Sequence, residues 1–186
     1  MDITQSTIDP STFKSGFVTL IGRPSSGKST LLNALMGKKL AIASPTAQTT
    51  RHRFRAVHTT DDHQMVIVDT PGVHKPHDAL GEELNVTALK SLDGIDVVAF
   101  LLDASAPFGR GDEWVIKELS KVKAPKILVL SKIDLVDDAQ LDEQRYKAVS
   151  LAEWDDVVEL SSLTGENLDT FIEAVTDRLP TGPLWF

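Results

Sequence analysis

Gly22-Arg23-Pro24-Ser25-Ser26-Gly27-Lys28-Ser29, with Thr30 directly after it, is the stretch on which the reading of this chain turns. It spells G-x-x-x-x-G-K-S, the phosphate-binding P-loop pattern. The run Phe17-Val18-Thr19-Leu20-Ile21 ahead of it is apolar and β-branched, the mark of a buried strand. Behind it, Leu31, Leu32, Leu35 and Met36 lie on one face of a helix that stops near Gly37. Gly22 and Gly27 let the backbone curl round anionic oxygens, with N–H groups pointing inward at the helix N-terminus. Lys28 supplies a point charge for the β- and γ-phosphates, and the Ser29 hydroxyl is a candidate Mg²⁺ ligand. A Gly/Ser-rich turn could match by chance, but its place between strand and helix argues against that.

The chain has 186 residues, the length of one domain with room for a sizeable core. Its composition, 41% hydrophobic and 25% charged, is ordinary for a globular protein. No apolar run approaches the roughly 18 residues of a membrane span, and no signal-peptide pattern opens the chain. Cysteine is absent, which excludes disulfides and thiolate metal sites and agrees with a reducing cytoplasm. A net charge of −8 argues against this segment holding nucleic acid by itself, because such binding needs phosphate neutralisation.

Residues 1–14 show no period and read as a loose polar arm. After the first strand, loop and helix, residues 38–50 lack sustained periodicity and suit a long exposed loop. Stretches 52–59 and 63–69, split by Thr60-Asp61-Asp62, read as a hairpin whose second strand (Met65, Val66, Ile67, Val68) is the more buried. Leu80, Leu84, Leu89 and Leu92 suggest one side of a helix. Strands follow at 97–102, 126–130 and 157–160, alternating with helices at 112–122, 137–151 and 168–179; in the last, Leu168, Phe171, Ile172, Val175 and Leu179 recur at helical spacing. The alternation predicts an α/β fold, a mainly parallel sheet of about six strands with one antiparallel strand, covered by helices on both faces. Ligands of such sheets bind beyond the carboxyl ends of the strands, where every candidate below lies. Pro180-Thr181-Gly182-Pro183 stops the last helix. The apolar ending Leu184-Trp185-Phe186 wants something to pack against, so the expected layout is a domain over 15–180 with 181–186 opening a linker in a longer protein.

Asp69-Thr70-Pro71-Gly72 closes the buried hairpin strand as D-x-x-G; Asp69 can reach Mg²⁺ through a water, and the Gly72 N–H can sense a γ-phosphate. Ser131-Lys132-Ile133-Asp134 closes another buried strand. The Asp134 carboxylate can accept from N1–H and the 2-amino group of guanine, a donor pair that adenine lacks. The Lys132 stem can lie along the base. The usual motif is N-K-x-D, and Ser131 stands where Asn would. Ser161-Ser162-Leu163 after the next strand suits a loop whose backbone N–H meets guanine O6, or an ordinary Ser/Thr helix start. In Ala47-Gln48-Thr49-Thr50-Arg51-His52, Thr50 is the second Mg²⁺ hydroxyl expected when the loop closes over the γ-phosphate, with Thr49 its competitor. Arg51, Arg53 and Arg55 fit an exposed strand edge. His52, His58, His63, His74 and His77 show no metal-ligand pattern, and no triad or paired-carboxylate arrangement is legible.

Taken together, G-R-P-x-x-G-K-S-T-L-L-N, Q-T-T-R-H-R, D-T-P-G-V-H-K-P, K-I-D-L and S-x-x-T-G-E-N resemble the GTPase domain of the Era family, over nearly all of residues 16–186. The resemblance implies a P-loop NTPase fold of the Ras-like G-domain type. It also implies a GTP-binding and GTP-hydrolysing switch acting in small-subunit ribosome assembly, with Mg²⁺ as cofactor and GTP or GDP as ligand. Era proteins carry an RNA-binding KH domain after the G domain. Binding of 16S ribosomal RNA would therefore fall to a domain not among these residues, and no direct nucleic-acid contact is expected of this segment. A monomer in the cytoplasm is expected, and the family resemblance also allows peripheral membrane association. The family usually has Asn at the position of Ser25, and in potassium-stimulated relatives that side chain helps hold K⁺. Ser25 argues against such a role here.

Val73 follows Gly72 where Ras-type GTPases carry the glutamine that orients water, and valine can do no such chemistry. Catalysis is expected to rest on Lys28, Thr50, Gly72, Mg²⁺ and backbone donors, with intrinsic turnover of roughly 10⁻² s⁻¹ or below. The rival readings are an ATP-dependent P-loop kinase or ATPase, and a module that binds nucleotide without hydrolysing it.

Overall fold

The computed structural model describes residues 8–37, 40–42, 53–69 and 92–185. Strand β1 (Lys14–Ile21) leads into helix α1 (Lys28–Met36); β2 (Leu40–Ile42), β3 (Arg53–Thr59) and β4 (His63–Asp69) follow. Then come β5 (Val97–Asp103), α2 (Arg110–Leu119), β6 (Lys126–Ser131), α3 (Asp138–Val149), β7 (Asp156–Glu159) and α4 (Leu168–Arg178). The sheet runs β2-β3-β4-β1-β5-β6-β7. β3 pairs antiparallel with both its neighbours, and the other pairings are parallel.

This is the expected α/β architecture with one antiparallel strand, but with seven strands instead of about six. The additional strand, β2, lies in the stretch 38–50 expected to be loop; a three-residue strand is too short to show alternation. The stretch 1–14, expected as a polar arm, is described only from residue 8 onward, and its end is structured. β1 begins at Lys14, and Phe13 before it is only 2% exposed. The helix expected around Leu80, Leu84 and Leu89 falls outside the described residues.

Why the central strands form is plain from their side chains. In β5, Val97 through Leu101 are fully buried and Leu102 nearly so; Ile127, Leu128, Val129 and Leu130 of β6 are fully buried too. A strand buried on both faces can be continuously apolar. Alternate residues serve opposite cores. Val98, Phe100, Leu102, Leu128 and Leu130 pack with Val115, Ile116 and Leu119 of α2 and Ala148 of α3. Val97, Ala99, Leu101, Ile127 and Val129 pack with Leu31 and Leu35 of α1 and Phe171 and Val175 of α4.

β1 sits between β4 and β5. The chain leaves β1 toward the β4 side and later crosses back to β5, so strand order reverses at the carboxyl end of β1. A crevice opens at such a reversal. The stretch Gly22 to Gly27 follows β1 at that point.

The segment expected to open a linker instead returns to β1. The Ser15 N–H donates to the Pro180 carbonyl at 3.0 Å, the Gly182 N–H to Phe13 O at 3.0 Å, and the Ser15 hydroxyl to Pro183 O at 2.7 Å. The Trp185 N–H donates to Gln64 Oε1 at 2.7 Å, and the Trp185 ring lies 5.2 Å from that of Phe17. Phe17 is thus one apolar partner of Trp185, which stays 53% exposed.

Candidate functional site

The P-loop leaves β1 at Gly22 and enters α1 at Lys28. Ser26 N–H donates to Arg23 O at 3.1 Å, closing the turn. Ser25 has φ +67° and Gly27 φ +102°, a left-handed pair that swings the amides inward at the helix start. Gly27 is the N-cap of α1, and no side chain caps the helix there. The amides of this first turn and the positive end of the helix dipole thus face the same concavity. Pro24, Ser25, Gly27, Lys28, Ser29, Thr30 and Lys132 line a concavity of about 430 Å³. Such a volume suits a small ligand.

Lys28 Nζ donates to Gly22 O at 2.6 Å and Arg23 O at 2.8 Å, with Ser26 Oγ at 3.4 Å. Among the described residues its ammonium meets only neutral oxygens. Burial lowers its pKa. A desolvated cation without a facing carboxylate favours an incoming anion. Ser29 and Thr30 are exposed at the mouth.

The Arg23 side chain behaves differently. Its Nη1 donates to Asp112 Oδ2 at 2.9 Å, and that oxygen also accepts from the Gly109 N–H at 3.0 Å. Arg23 therefore contributes backbone to the loop while its guanidinium braces the start of α2. Asp112, only 3% exposed, is a residue that sequence reasoning passed over.

Ser131 ends β6, and its hydroxyl donates to the Ser26 carbonyl at 2.6 Å. Lys132 stands at φ +60°, and its Nζ donates to Ser25 O and to Asp103 Oδ2, each at 2.7 Å. The S-K-I-D turn is thus bolted to the P-loop twice. Asp134 is exposed, and its Oδ1 accepts from the Ser161 hydroxyl at 2.7 Å. Ser161 Oγ in turn accepts from the Thr164 N–H at 3.1 Å, and the Gly165 N–H donates to Ser161 O at 2.9 Å. Ser161 is fully buried while Leu163 is 80% exposed, so the serine anchors the 161–163 loop and the leucine does not.

Asp69 is placed by its backbone alone, at the carboxyl end of β4 opposite Arg53. Thr50 and Gly72 lie outside the described residues, as do Thr49, Arg51, His52, Val73, His74 and His77. The structure therefore gathers Gly22 through Thr30, Ser131, Lys132, Asp134 and Ser161 beyond the carboxyl ends of β1, β6 and β7. Asp103 joins them unannounced. It ends an apolar strand as Asp69 does and as Asp134 follows one, and that repeated position was the signal available in the sequence.

Fold and site together define a P-loop nucleotide-binding domain. A family model described as 50S ribosome-binding GTPase matches residues 17–132, and the chain belongs to that family. Among solved structures, Era in complex with MgGDPNP and a segment of 16S ribosomal RNA is 35% identical with a TM-score of 0.72. A variant of Aquifex aeolicus Era bound to GDP and aluminium fluoride is 34% identical, also at 0.72. Each comparison covers 94% of this chain and 60% of the Era chain. Elongation factor SelB from Methanococcus maripaludis with a GTP analogue, 20% identical at a TM-score of 0.66, shares the fold; that comparison covers 92% of this chain and 35% of the SelB chain.

Proposed function

We propose that this domain is a guanine-nucleotide switch that hydrolyses GTP slowly. One observation carries the reading: the Ser131 hydroxyl fastens the turn bearing Asp134 to the P-loop carbonyl of Ser26, at 2.6 Å. A carboxylate suited to guanine and a cradle suited to phosphates are thereby held at one spacing. Gly22 through Thr30 would hold the phosphates, Asp134 and Lys132 the base, and the 161–163 loop its O6.

Mg²⁺ fits the donor set, since the exposed Ser29 hydroxyl and a carboxylate such as Asp69 are hard oxygen ligands. Bound there, it would neutralise charge on the β- and γ-oxygens. Lys28 would exchange its bonds to Gly22 O and Arg23 O for bonds to phosphate oxygens. Thr50 and Gly72 would order over a γ-phosphate and let go after its loss, which makes the domain a switch. With Val73 unable to orient water, turnover of roughly 10⁻² s⁻¹ or below is expected. K⁺ stimulation is not expected with serine at position 25.

The biological setting follows from the likeness to Era bound to 16S ribosomal RNA, of which this chain spans 60%. We place the domain in small-subunit ribosome assembly in the cytoplasm, as a monomer whose RNA contacts are made outside these residues. A net charge of −8 supports that division.

The test is affinity and hydrolysis in magnesium buffer. GDP should bind far more tightly than ADP, Asp134→Asn should shift preference toward xanthine nucleotide, and single-turnover assays should release phosphate. Equal affinity for ADP would favour an ATP-using kinase or ATPase. No phosphate release over hours would leave a binding module, and several turnovers per second would overturn the slow-switch reading.

A further inference from the structure

We propose that Asp103 is a positioning residue for the nucleotide, acting through Lys132; this rests on the guanosine-nucleotide reading above. Asp103 ends β5 and stands in register with Ser131 of β6. Its two oxygens have separate tasks. Oδ1 accepts from the Ser105 N–H at 2.8 Å and the Ser105 hydroxyl at 2.6 Å, which fixes the carboxylate to its own turn. Oδ2 accepts from Lys132 Nζ at 2.7 Å.

Burial pushes the Asp103 pKa up, but the bonds from Lys132 and Ser105 outweigh it and hold the group below the usual carboxylate value. It therefore stays ionised beside the ammonium. From that anchor the Lys132 stem crosses the P-loop to Ser25 O, 2.7 Å from Nζ. Both residues it joins, Ser25 and Lys132, hold left-handed backbone, which is unfavourable for non-glycine residues and needs an outside restraint. Asp103 is that restraint for Lys132.

The two lysines of the site are thereby sorted into different roles. The Lys28 ammonium meets neutral oxygens among the described residues and keeps its charge for phosphate. The Lys132 charge is spent on Asp103, leaving its methylene stem as a fixed surface in the concavity, where a base can lie. Asp103 itself does not line that concavity. Its effect on the ligand runs through the lysine.

The experiment is a double-mutant cycle on release of a fluorescent GDP analogue in magnesium buffer, with thermal unfolding measured alongside. Asp103→Ala and Lys132→Ala should each speed release by about tenfold, the scale of one charge-assisted hydrogen bond. The double variant should release no faster than Lys132→Ala alone. The guanine-over-xanthine preference should be unchanged in Asp103→Ala. Asp103→Asn, which keeps shape and the Ser105 contacts, should show the same acceleration at smaller size and covers the case in which Asp103→Ala does not fold. Additive effects, or release at the wild-type rate from folded Asp103→Asn, would overturn the proposal. Wild-type protein that binds no GDP analogue would instead overturn the nucleotide reading, and this inference with it.

Discussion

Gly22 leaves no room for any side chain. A Cβ there would lie 2.5 Å from Ser26 Oγ and 2.6 Å from the Leu101 carbonyl, and the latter is rigid strand backbone. Gly22→Ala is therefore expected to displace the loop, lowering stability by about 1–3 kcal/mol and abolishing nucleotide binding, checked by thermal unfolding and GDP titration. Gly27 is constrained by conformation instead, since its φ is +102° and the nearest atom to a Cβ would be Ser131 Oγ at an ordinary 3.7 Å. Its alanine variant should lose about 1 kcal/mol, with binding weakened but measurable. Lys28→Ala should separate binding from folding: nucleotide affinity disappears, while Tm stays near the wild-type value because a desolvated ammonium leaves with its bonds. At this scale the P-loop and the strand-end place of Asp134 were legible, because each is a short pattern local in sequence that directly follows an apolar strand. Asp103 and Asp112 were not. Each acts by reaching a residue distant in sequence, and only the register of β5 on β6 and the approach of α2 to the P-loop reveal the pairing.

Helix α2 illustrates how an element is held as well as formed. Val115, Ile116 and Leu119 seat it on the sheet, and the spacing of Val115 and Leu119 along the chain already marks that face. Its entry is fixed by Asp112, whose Oδ2 takes both the Gly109 N–H and the Arg23 guanidinium. Asp112→Ala removes a cap and a buried acceptor together, so a loss of about 1–3 kcal/mol is expected. Because Arg23 belongs to the P-loop, the variant should also weaken GDP binding; unchanged affinity in a destabilised protein would show that the brace serves the helix alone. Long periodic elements such as β5, β6 and α4 fell within a residue or two of their expected ends. The short ones did not fare alike: β2 was hidden in loop composition, whereas the four-residue β7 was recovered one residue out of place. Both are edge strands, so position in the sheet does not distinguish them; β7 is followed by the apolar helix pattern of α4, which marks it in the sequence, and no such pattern follows β2.

The molecule as a whole combines a candidate site at the carboxyl ends of its strands with an opposite end tied by local polar pairs. The C-terminal segment and the β3–β4 hairpin meet at that far end, through Gln64 and Trp185. The sequence signalled that Leu184 and Trp185 need a surface, but not that Phe17 supplies part of it, because no periodicity encodes a return across the sheet. The same end carries a pH-sensitive histidine, His58. His58 Nδ1 lies 3.1 Å from His63 Nε2, and His63 Nδ1 lies 2.8 Å from Asp62 Oδ1. The carboxylate only accepts, so His63 Nδ1 bears hydrogen, its Nε2 accepts, and His58 donates. Protonating His58 places a cation on a ring packed against His63 in the fold. Burial, then the neighbouring His63, lower the His58 pKa from 6.5, against a smaller opposing effect of Asp62. With a depressed folded-state value the unfolded chain binds the extra proton first. The stabilisation is fully present above about pH 6.5 and is lost as pH falls through the folded-state pKa. His58→Asn should therefore cost about 1 kcal/mol at pH 8, where a hydrogen bond is missing, and progressively less as the solution is acidified. Chemical denaturation of both proteins across pH 5 to 8 measures it; parallel stability curves over that range would exclude His58 as the group that titrates.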